Sequence, residues 1–406
     1  MALVVQKFGG SSVATPEKLR AAAQRAVRQS RAGNRVVVVV SAMGDQTDEL
    51  IDLAGQLHPE PDLREMDMLM AVGEQMSIAL MAIAIHAEGT GAISLTGAQA
   101  GIRTDSVSSK AKIKSIHTER LWRELDQGQI VIVAGFQGVD SEDNITTLGR
   151  GGSDTTAIAL AAALEADRCD IFTDVDGIYT ADPRLVPEAR RIERVDYDEM
   201  LELASLGARV MHSRAVEIAK RFDVPFRVRS STDQGEGTLV TQVDDLEQVD
   251  VRGAALETNE AKVTIRDVPD NPGVAARLFG GIARENVNVD VIVQNVSAAG
   301  TTDLTFTVLK SDLPAARSAA RRLSSELGAG AVEVDEDVAK VSIVGVGMKS
   351  HTGVAEKMFE ALAENKINIQ MISTSEIKIS VVIDAEGGER ALRAMHETFA
   401  LGEETA

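Results

Sequence analysis

Between residues 1 and about 240, short β-branched runs alternate with alanine-rich stretches. Val36–Val40, Ile130–Val133 and Ile171–Thr173 read as buried strands, and residues 17–31, 68–87, 154–166 and 208–222 as helices. Strands apolar at every residue must be covered on both faces, and helical crossovers bring each next strand in parallel. The alternation therefore predicts an α/β fold, a parallel-rich sheet covered by helices on both faces. Ligands of such sheets bind at the carboxyl ends of the strands. The core has to be aliphatic, because aromatic residues are only 3% of a chain that is 44% hydrophobic.

The last part of the chain carries an internal repeat. Asn271-Pro272-Gly273-Val274-Ala275 lies over His351-Thr352-Gly353-Val354-Ala355 at an offset of 351 − 271 = 80 residues. In the same register Phe279 meets Phe359, Ala283 meets Ala363, Asn288 meets Asn368 and Ile292 meets Ile372. Each copy reads strand, glycine turn, helix, asparagine turn and strand, then a further strand (Thr302–Leu309 or Lys378–Ile383). Two βαββ units are implied, which bury their sheets best by pairing. The acidic stretch Thr241–Glu260 lacks periodicity and reads as a linker. The expected organisation is an α/β domain over 1–245, a linker over 246–260, and repeat units over 261–335 and 336–406.

Charge narrows the partners. With 42 Lys and Arg against 62 Asp and Glu, the net charge is −20, so phosphate backbones and anionic lipid surfaces would repel the chain. Cys169 is the one cysteine, which excludes an intramolecular disulfide framework and a cysteine-based zinc site. The N-terminus lacks the basic and apolar regions of a signal peptide. The longest nearly apolar run, Met76 to Ile85, is about half of the ~20 residues a membrane span needs. A cytoplasmic enzyme is the expectation.

Four loops carry the chemistry. Lys7-Phe8-Gly9-Gly10-Ser11-Ser12 joins the strand Leu3–Gln6 to a helix announced by Thr15-Pro16-Glu17. Glycines there let backbone N–H groups approach an anion, and Lys7 adds a charge; a plain tight turn is the bland alternative. No GxxxxGK[ST] loop occurs. Leu148-Gly149-Arg150-Gly151-Gly152-Ser153-Asp154-Thr155-Thr156 precedes an alanine-rich helix. Arg150 can grip a carboxylate, the N–H groups of Gly151, Gly152 and Ser153 face another anion, and Asp154 could orient a lysine. Thr173-Asp174-Val175-Asp176-Gly177-Ile178-Tyr179-Thr180-Ala181-Asp182-Pro183-Arg184 follows a strand but lacks the twelfth-position Glu of an EF-hand, so nucleotide contact is expected. Ser41-Ala42-Met43-Gly44-Asp45-Gln46-Thr47-Asp48 follows Val36–Val40. Glu74, at a glycine break before a helix, could receive an ammonium group or lie solvated. The six histidines are scattered without zinc spacing and read as surface or packing residues.

Together KFGGSS, SAMGDQTD, GEQ around Glu74, AGFQG at Ala134, LGRGGSDTT and TDVDGIYTADPR resemble the aspartate kinases of the amino-acid-kinase superfamily. The tail, with QNVS at Gln294 and STSE at Ser373, is similar to two ACT domains. The resemblance is to the short, monofunctional layout, and no homoserine dehydrogenase half is expected. The resemblance implies transfer of the ATP γ-phosphoryl group to the β-carboxylate of L-aspartate, giving 4-phospho-L-aspartate for lysine, threonine, methionine and diaminopimelate synthesis. It implies that Lys7 stabilises the transferring group, that Asp154 holds Lys7, and that Phe8, Gly9, Gly10 and Ser11 cradle phosphates. Ser41, Thr173, Asp174, Tyr179, Asp182 and Arg184 would line the ATP side. Arg150 would take the α-carboxylate of aspartate and Glu74 its ammonium, with Ser41, Thr47, Gly151, Gly152 and Ser153 around the reacting carboxylate. Mg2+ would be held mainly by the ATP phosphates.

The ACT resemblance implies feedback inhibition by lysine and threonine. Asp267, Asn271, Gly273, Val274, Ala275, Gln294 and Asn295 are the effector candidates of the first repeat. Met348, Asn368, Ile369, Ser375 and Glu376 are those of the second, whose turn lacks the proline of Pro272-Gly273. A homo-oligomer through the ACT units is expected, and relatives also make a shorter regulatory subunit by internal initiation. The alternatives are a related kinase, such as glutamate 5-kinase or a nucleoside-monophosphate kinase, and an amino-acid sensor without turnover.

Overall fold

A computed structural model describes residues 1–205, 211–243, 250–295, 300–346, 348 and 353–403. It divides into two compact units. The first holds Met1–Tyr179, Arg191–Ser205 and the described residues from 211 to 243; the second holds Thr180–Arg190 and the described residues from 250 onward.

The first unit is built on an eight-stranded sheet. In spatial order its strands are Arg194–Val195, Thr238–Val240, Phe226–Ser230, Arg168–Thr173, Leu3–Phe8, Arg35–Val40, Ile130–Ala134 and Ala92–Leu95. The central pairings, from Phe226–Ser230 to Ala92–Leu95, are all parallel. The valine run explains itself: Val36, Val38 and Val40 pack with the helices Pro16–Arg31 and Leu63–Ala87, while Val37 and Val39 are buried on the opposite face. The helix Gly152–Ala163 packs against Leu3–Phe8 and Arg168–Thr173. Both faces are thus covered, as the sequence pattern predicts.

The helix Pro16–Arg31 starts where the sequence signals it. Thr15 Oγ1 accepts from the Lys18 amide, Pro16 takes the first position, and Arg28 and Arg31 face the negative end of the dipole. Leu63–Ala87 is capped by Asp62, whose carboxylate accepts from the amides of Arg64 and Glu65. By length and composition it could cross a membrane, yet half of its most apolar stretch is buried inside the fold, which marks a core helix. The sequence reading starts this helix at residue 68; the real start at Leu63 is set by the Asp62 cap. Residues 208–210 of the expected helix 208–222 lie outside the described residues, and the described helix runs Ser213–Phe222. A smaller four-stranded sheet, Ile113–Ile116, Ile102–Thr104, Gln137–Val139 and Ile145–Thr147, was not signalled by periodicity.

The second unit contains two four-stranded antiparallel sheets. One orders Ile292–Gln294, Thr301–Leu309, Glu260–Pro269 and Val332–Asp335; the other orders Asp250–Glu257, Val338–Val346, Lys378–Asp384 and Met371–Thr374. The repeat register is kept in space. The helices Val274–Arg284 and Val354–Glu364 begin 80 positions apart, each after a glycine with φ of +94° (Gly273) or +110° (Gly353). Each repeat also adds a second helix, Leu313–Leu327 or Gly388–Thr398.

The linker reading of 246–260 needs correcting. Residues 246–249 lie outside the described residues, but Asp250–Glu257 is a strand of the second repeat's sheet, pairing Asp250 with Val346 and Glu257 with Lys340. A bulge between Val251 and Gly253 breaks the alternation that would have announced it. Nor does the first unit run unbroken to 245. Thr180–Arg190 belongs to the second unit, where Ala181 and Val186 join its core and the Arg190 guanidinium donates to the Leu401 carbonyl at 3.2 Å.

The two repeats meet through Val291, Val293, Val338, Met371 and Val382. At this junction Lys340 is paired with both Glu260 and Asp290. Glu260 and Lys340 are equivalent positions at the 80-residue offset (340 − 260), and they carry opposite charges.

Candidate active site

The parallel strands aim six loops at one edge of the sheet, those after Phe8, Val40, Leu95, Ala134, Thr173 and Ser230. At that edge Lys7 Nζ lies 2.6 Å from Asp154 Oδ1, both side chains about one-tenth exposed. Lys7 is the last residue but one of its wholly buried strand, and Asp154 sits in the first turn of Gly152–Ala163. Gly9 keeps this room open: a Cβ there would stand 3.3 Å from Lys7 Nζ. The Gly9 amide donates to the Phe172 carbonyl at 3.2 Å, and Gly10 is pressed on the Ala42 carbonyl, where a Cβ would come within 2.9 Å. Only glycine lets these loops lie so close. The short helix Gly10–Val13 follows, with Ser11 at its first turn.

Glu74 comes from the helix Leu63–Ala87 rather than from a break before it; Gly73 instead allows the helix to touch the Ala42 methyl, which its own Cβ would meet at 2.7 Å. Glu74 Oε1 accepts from the Ala42 amide at 3.0 Å, while Oε2 is buried without a hydrogen-bond partner among the described residues. Burial pushes its pKa up to about 7, against the two backbone hydrogen bonds that pull it down. A carboxylate with one empty, desolvated oxygen suits an incoming cation. Ser41 and Thr47 flank this point and are half-buried.

The Leu148-to-Thr156 stretch turns into its helix through Gly151, with φ of +67°. Arg150 is exposed, while Gly152, Ser153 and Asp154 are buried. Thr155 and Thr156 do not face the site: their hydroxyls donate to the Gly151 and Gly152 carbonyls. On the far side of Lys7, the Thr173 hydroxyl donates to Asp174 at 3.0 Å. The Tyr179 hydroxyl donates to Asp176 at 2.8 Å, and its pKa is raised, first by burial and then by that acceptor. Asp182 and Arg184 pair with each other at 2.6 Å in the second unit.

Several site neighbours were not among the expected site residues. Gly135 lies against Ser153, whose Oγ a Cβ would meet at 2.6 Å. The loop after Ser230 is joined to the site by Ser231, whose amide donates to the Thr173 carbonyl at 2.8 Å. Arg25 stacks over Phe172 at 4.6 Å and donates to the carbonyls of Ser231 and Asp233. The Ser230-to-Gly237 run after a strand was a visible signal for this loop; nothing local marks Arg25. His212, one of the histidines expected at the surface or in packing, is pressed on Gly151, and burial lowers its pKa.

In the second unit, Asp267, Asn271, Gly273, Val274 and Ala275 share one end of their sheet with Gln294 and Asn295, since Gln294 pairs opposite Leu304 and Leu304 opposite Ile265. In the second repeat Ser375 and Glu376 turn between Met371–Thr374 and Lys378–Asp384. Asn368 and Ile369 precede Met371, at the other end of that strand. Met348 is buried in the core. His351 and Thr352 lie outside the described residues.

Comparison with known proteins agrees with this architecture. Residues 2–230 match the amino acid kinase family, and residues 266–322 and 341–399 match the ACT domain. An aspartate kinase of Stutzerimonas stutzeri is 53% identical over 403 residues, covering 99% of this chain and 98% of that protein. An aspartokinase of Pseudomonas aeruginosa is likewise 53% identical, over 404 residues, with the same coverage. Among solved structures, E. coli aspartokinase III in complex with aspartate and ADP superposes with a TM-score of 0.83 at 28% identity, covering 98% of this chain and 99% of that one. The same enzyme in complex with lysine and aspartate gives 0.74.

Proposed function

The chain belongs to the aspartate kinase family and is a phosphotransferase, and we propose that it phosphorylates the β-carboxylate of L-aspartate to give 4-phospho-L-aspartate, feeding lysine, threonine, methionine and diaminopimelate synthesis. The observation that carries this reading is the Lys7–Asp154 pair at the carboxyl edge of the sheet, beside a Glu74 carboxylate with one free oxygen. A β-carboxylate oxygen attacks Pγ, the bond from Pγ to the bridging oxygen breaks, and ADP leaves with that electron pair. No proton has to move. Catalysis is therefore alignment and charge neutralisation.

Lys7 supplies the charge and Asp154 aims it. Gly10 and Ser11 offer backbone amides to the phosphates and Phe8 and Gly9 line the cradle; Ser41, Thr173, Asp174 and Tyr179 line the nucleotide, and Asp182 and Arg184 are further candidates for it. Arg150 takes the α-carboxylate and Glu74 the ammonium of aspartate, while Ser41, Thr47, Gly151, Gly152 and Ser153 surround the reacting group. Magnesium would be held mainly by the ATP phosphates, where it would spread the charge of the transferring group; among the described residues no cluster of three His, Cys, Asp or Glu could hold a metal alone.

Feedback inhibition by lysine and threonine belongs to the same proposal. Support comes from the ACT matches and from E. coli aspartokinase III, which has been solved with lysine and aspartate bound. Asp267, Asn271, Gly273, Val274, Ala275, Gln294 and Asn295 form the better-supported effector site, because they share one sheet end. Met348, Asn368, Ile369, Ser375 and Glu376 would need a second copy of the repeat, since Asn368 and Ser375 lie at opposite ends of one strand. A cytoplasmic homo-oligomer, with room for a shorter regulatory subunit, fits this reading.

The test is hydroxylamine trapping of the acyl phosphate with ATP, magnesium and aspartate, run alone, with lysine, with threonine and with both. Aspartate-dependent turnover that falls with the effectors supports the whole reading. Turnover indifferent to them removes the feedback claim, and no aspartate-dependent turnover removes the acceptor.

A further inference from the structure

Asp67 is a fully buried carboxylate that the phosphoryl transfer does not use. It stands on the helix Leu63–Ala87, 74 − 67 = 7 residues before Glu74, so two helical turns put both on one face. Its oxygens each accept from the Ser109 amide at 3.0 Å, and Oδ1 accepts from the Thr147 hydroxyl at 2.5 Å. Thr147 is three residues before Arg150.

The two groups that Asp67 binds are themselves locked to the Arg150 loop. The Ala111 amide donates to the Thr147 carbonyl at 3.0 Å. The Arg214 guanidinium bridges the Leu148 and Ala111 carbonyls at 2.9 and 2.7 Å. The Ser109 carbonyl lies against Gly149, where a Cβ would come within 2.9 Å. Ser109 itself holds φ of +64°, an uncommon conformation for a residue with a side chain. Such strain persists only where surrounding bonds impose it. Asp67 supplies those bonds.

We propose that Asp67 is a positioning residue that sets the gap between Glu74 and Arg150, and hence the length of amino acid the site accepts. This rests on the reading that Glu74 takes the substrate ammonium and Arg150 its α-carboxylate. One carboxylate anchors the Glu74 helix to the base of the Arg150 loop, so the two grips move as one body. Aspartate and glutamate differ by one methylene, so the register of these grips relative to Lys7 decides whether the distal carboxylate reaches the phosphoryl group.

The experiment compares Asp67→Asn and Thr147→Val with the unaltered enzyme, with Glu74→Gln and Arg150→Ala as controls. Apparent KM for aspartate and for ATP, the aspartate-over-glutamate ratio of kcat/KM, and Tm are measured. Asp67→Asn should raise the aspartate KM about 10- to 100-fold, leave the ATP KM within about twofold and narrow the aspartate preference. Thr147→Val, which removes one donor and keeps the shape, should do the same to a smaller degree. It decides the matter if Asp67→Asn does not fold. An unchanged aspartate KM, or a Tm loss with both KM values moving together, overturns the proposal. If the two controls leave the aspartate KM unchanged, it is the substrate-grip reading that fails instead.

Discussion

In the first unit the Lys7–Asp154 pair lies at the mouth of loops spaced by glycine, and one oxygen of the buried Glu74 has no hydrogen-bond partner among the described residues. In the second unit Lys340 is buried to 3% exposure and paired with a buried Glu260 and a half-exposed Asp290. Both arrangements take charge out of water, which is costly unless something repays it. Burial disfavours the charged form of Glu74, a cost that the proposed substrate ammonium would relieve. The Lys340 cluster meets its opposite charges within the fold, although Glu260 Oε2 has no hydrogen-bond partner among the described residues, and it joins the two repeats. The difference is the countercharge: Glu260 has Lys340, whereas Glu74 is paired with no cation among the described residues.

That contrast makes measurable claims. Lys7→Ala should lower kcat on the order of 10³- to 10⁵-fold while the Tm barely moves, because the lost group acts on the transferring phosphoryl. A sensor without turnover would show no such loss. Lys340→Met should do the reverse. It leaves Glu260 buried and unpaired, at roughly 3–5 kcal/mol of stability, whereas Glu260→Gln with Lys340→Met should come back close to neutral. Calorimetry reads the loss, and fluorescence of Trp122, the one tryptophan and part of the first unit, should follow it less closely.

Glu74→Gln tests the unpaired carboxylate directly. The folded-state pKa of about 7 lies above the usual 4.5, so this group destabilises the fold as pH rises from 4.5 through 7. The full cost, roughly 3 kcal/mol, applies above pH 7. Glu74→Gln should therefore raise the Tm at pH 8 more than at pH 5, while weakening aspartate. A Tm gain independent of pH would contradict the assignment. The effect should be smaller at the repeat turns. Gly273→Ala and Gly353→Ala, at φ of +94° and +110°, should each cost about 1–2 kcal/mol and by similar amounts, as their shared register requires.

Much of the active edge was legible because its signals are local. Lys7, Gly9 and Gly10 follow a strand within a few residues, and the Thr15-Pro16 cap is complete within one turn. The 80-residue repeat was legible because equivalent positions can be compared without knowing the fold. The strand Asp250–Glu257 was not, since its partner Val338–Val346 lies about ninety residues on and a bulge breaks its alternation. The helix-borne Glu74 was read as a break because Gly73 looks like punctuation, whereas its contact with Ala42 is what requires a glycine.

The chain's own order of residues determined the parallel sheet, the anion-facing loops, the repeat and the family, because strand period, capping and glycine placement act between near neighbours. Tertiary structure alone decided that Asp154 meets Lys7, that Glu74 keeps one oxygen empty, that Asp67 ties its helix to the Arg150 loop, and that Thr180–Arg190 leaves the first unit for the second. These pairings join residues from tens of positions to well over a hundred apart. Which of the many buried carboxylates finds a cation, an amide or nothing depends on how packed elements close around it, and no local pattern encodes that.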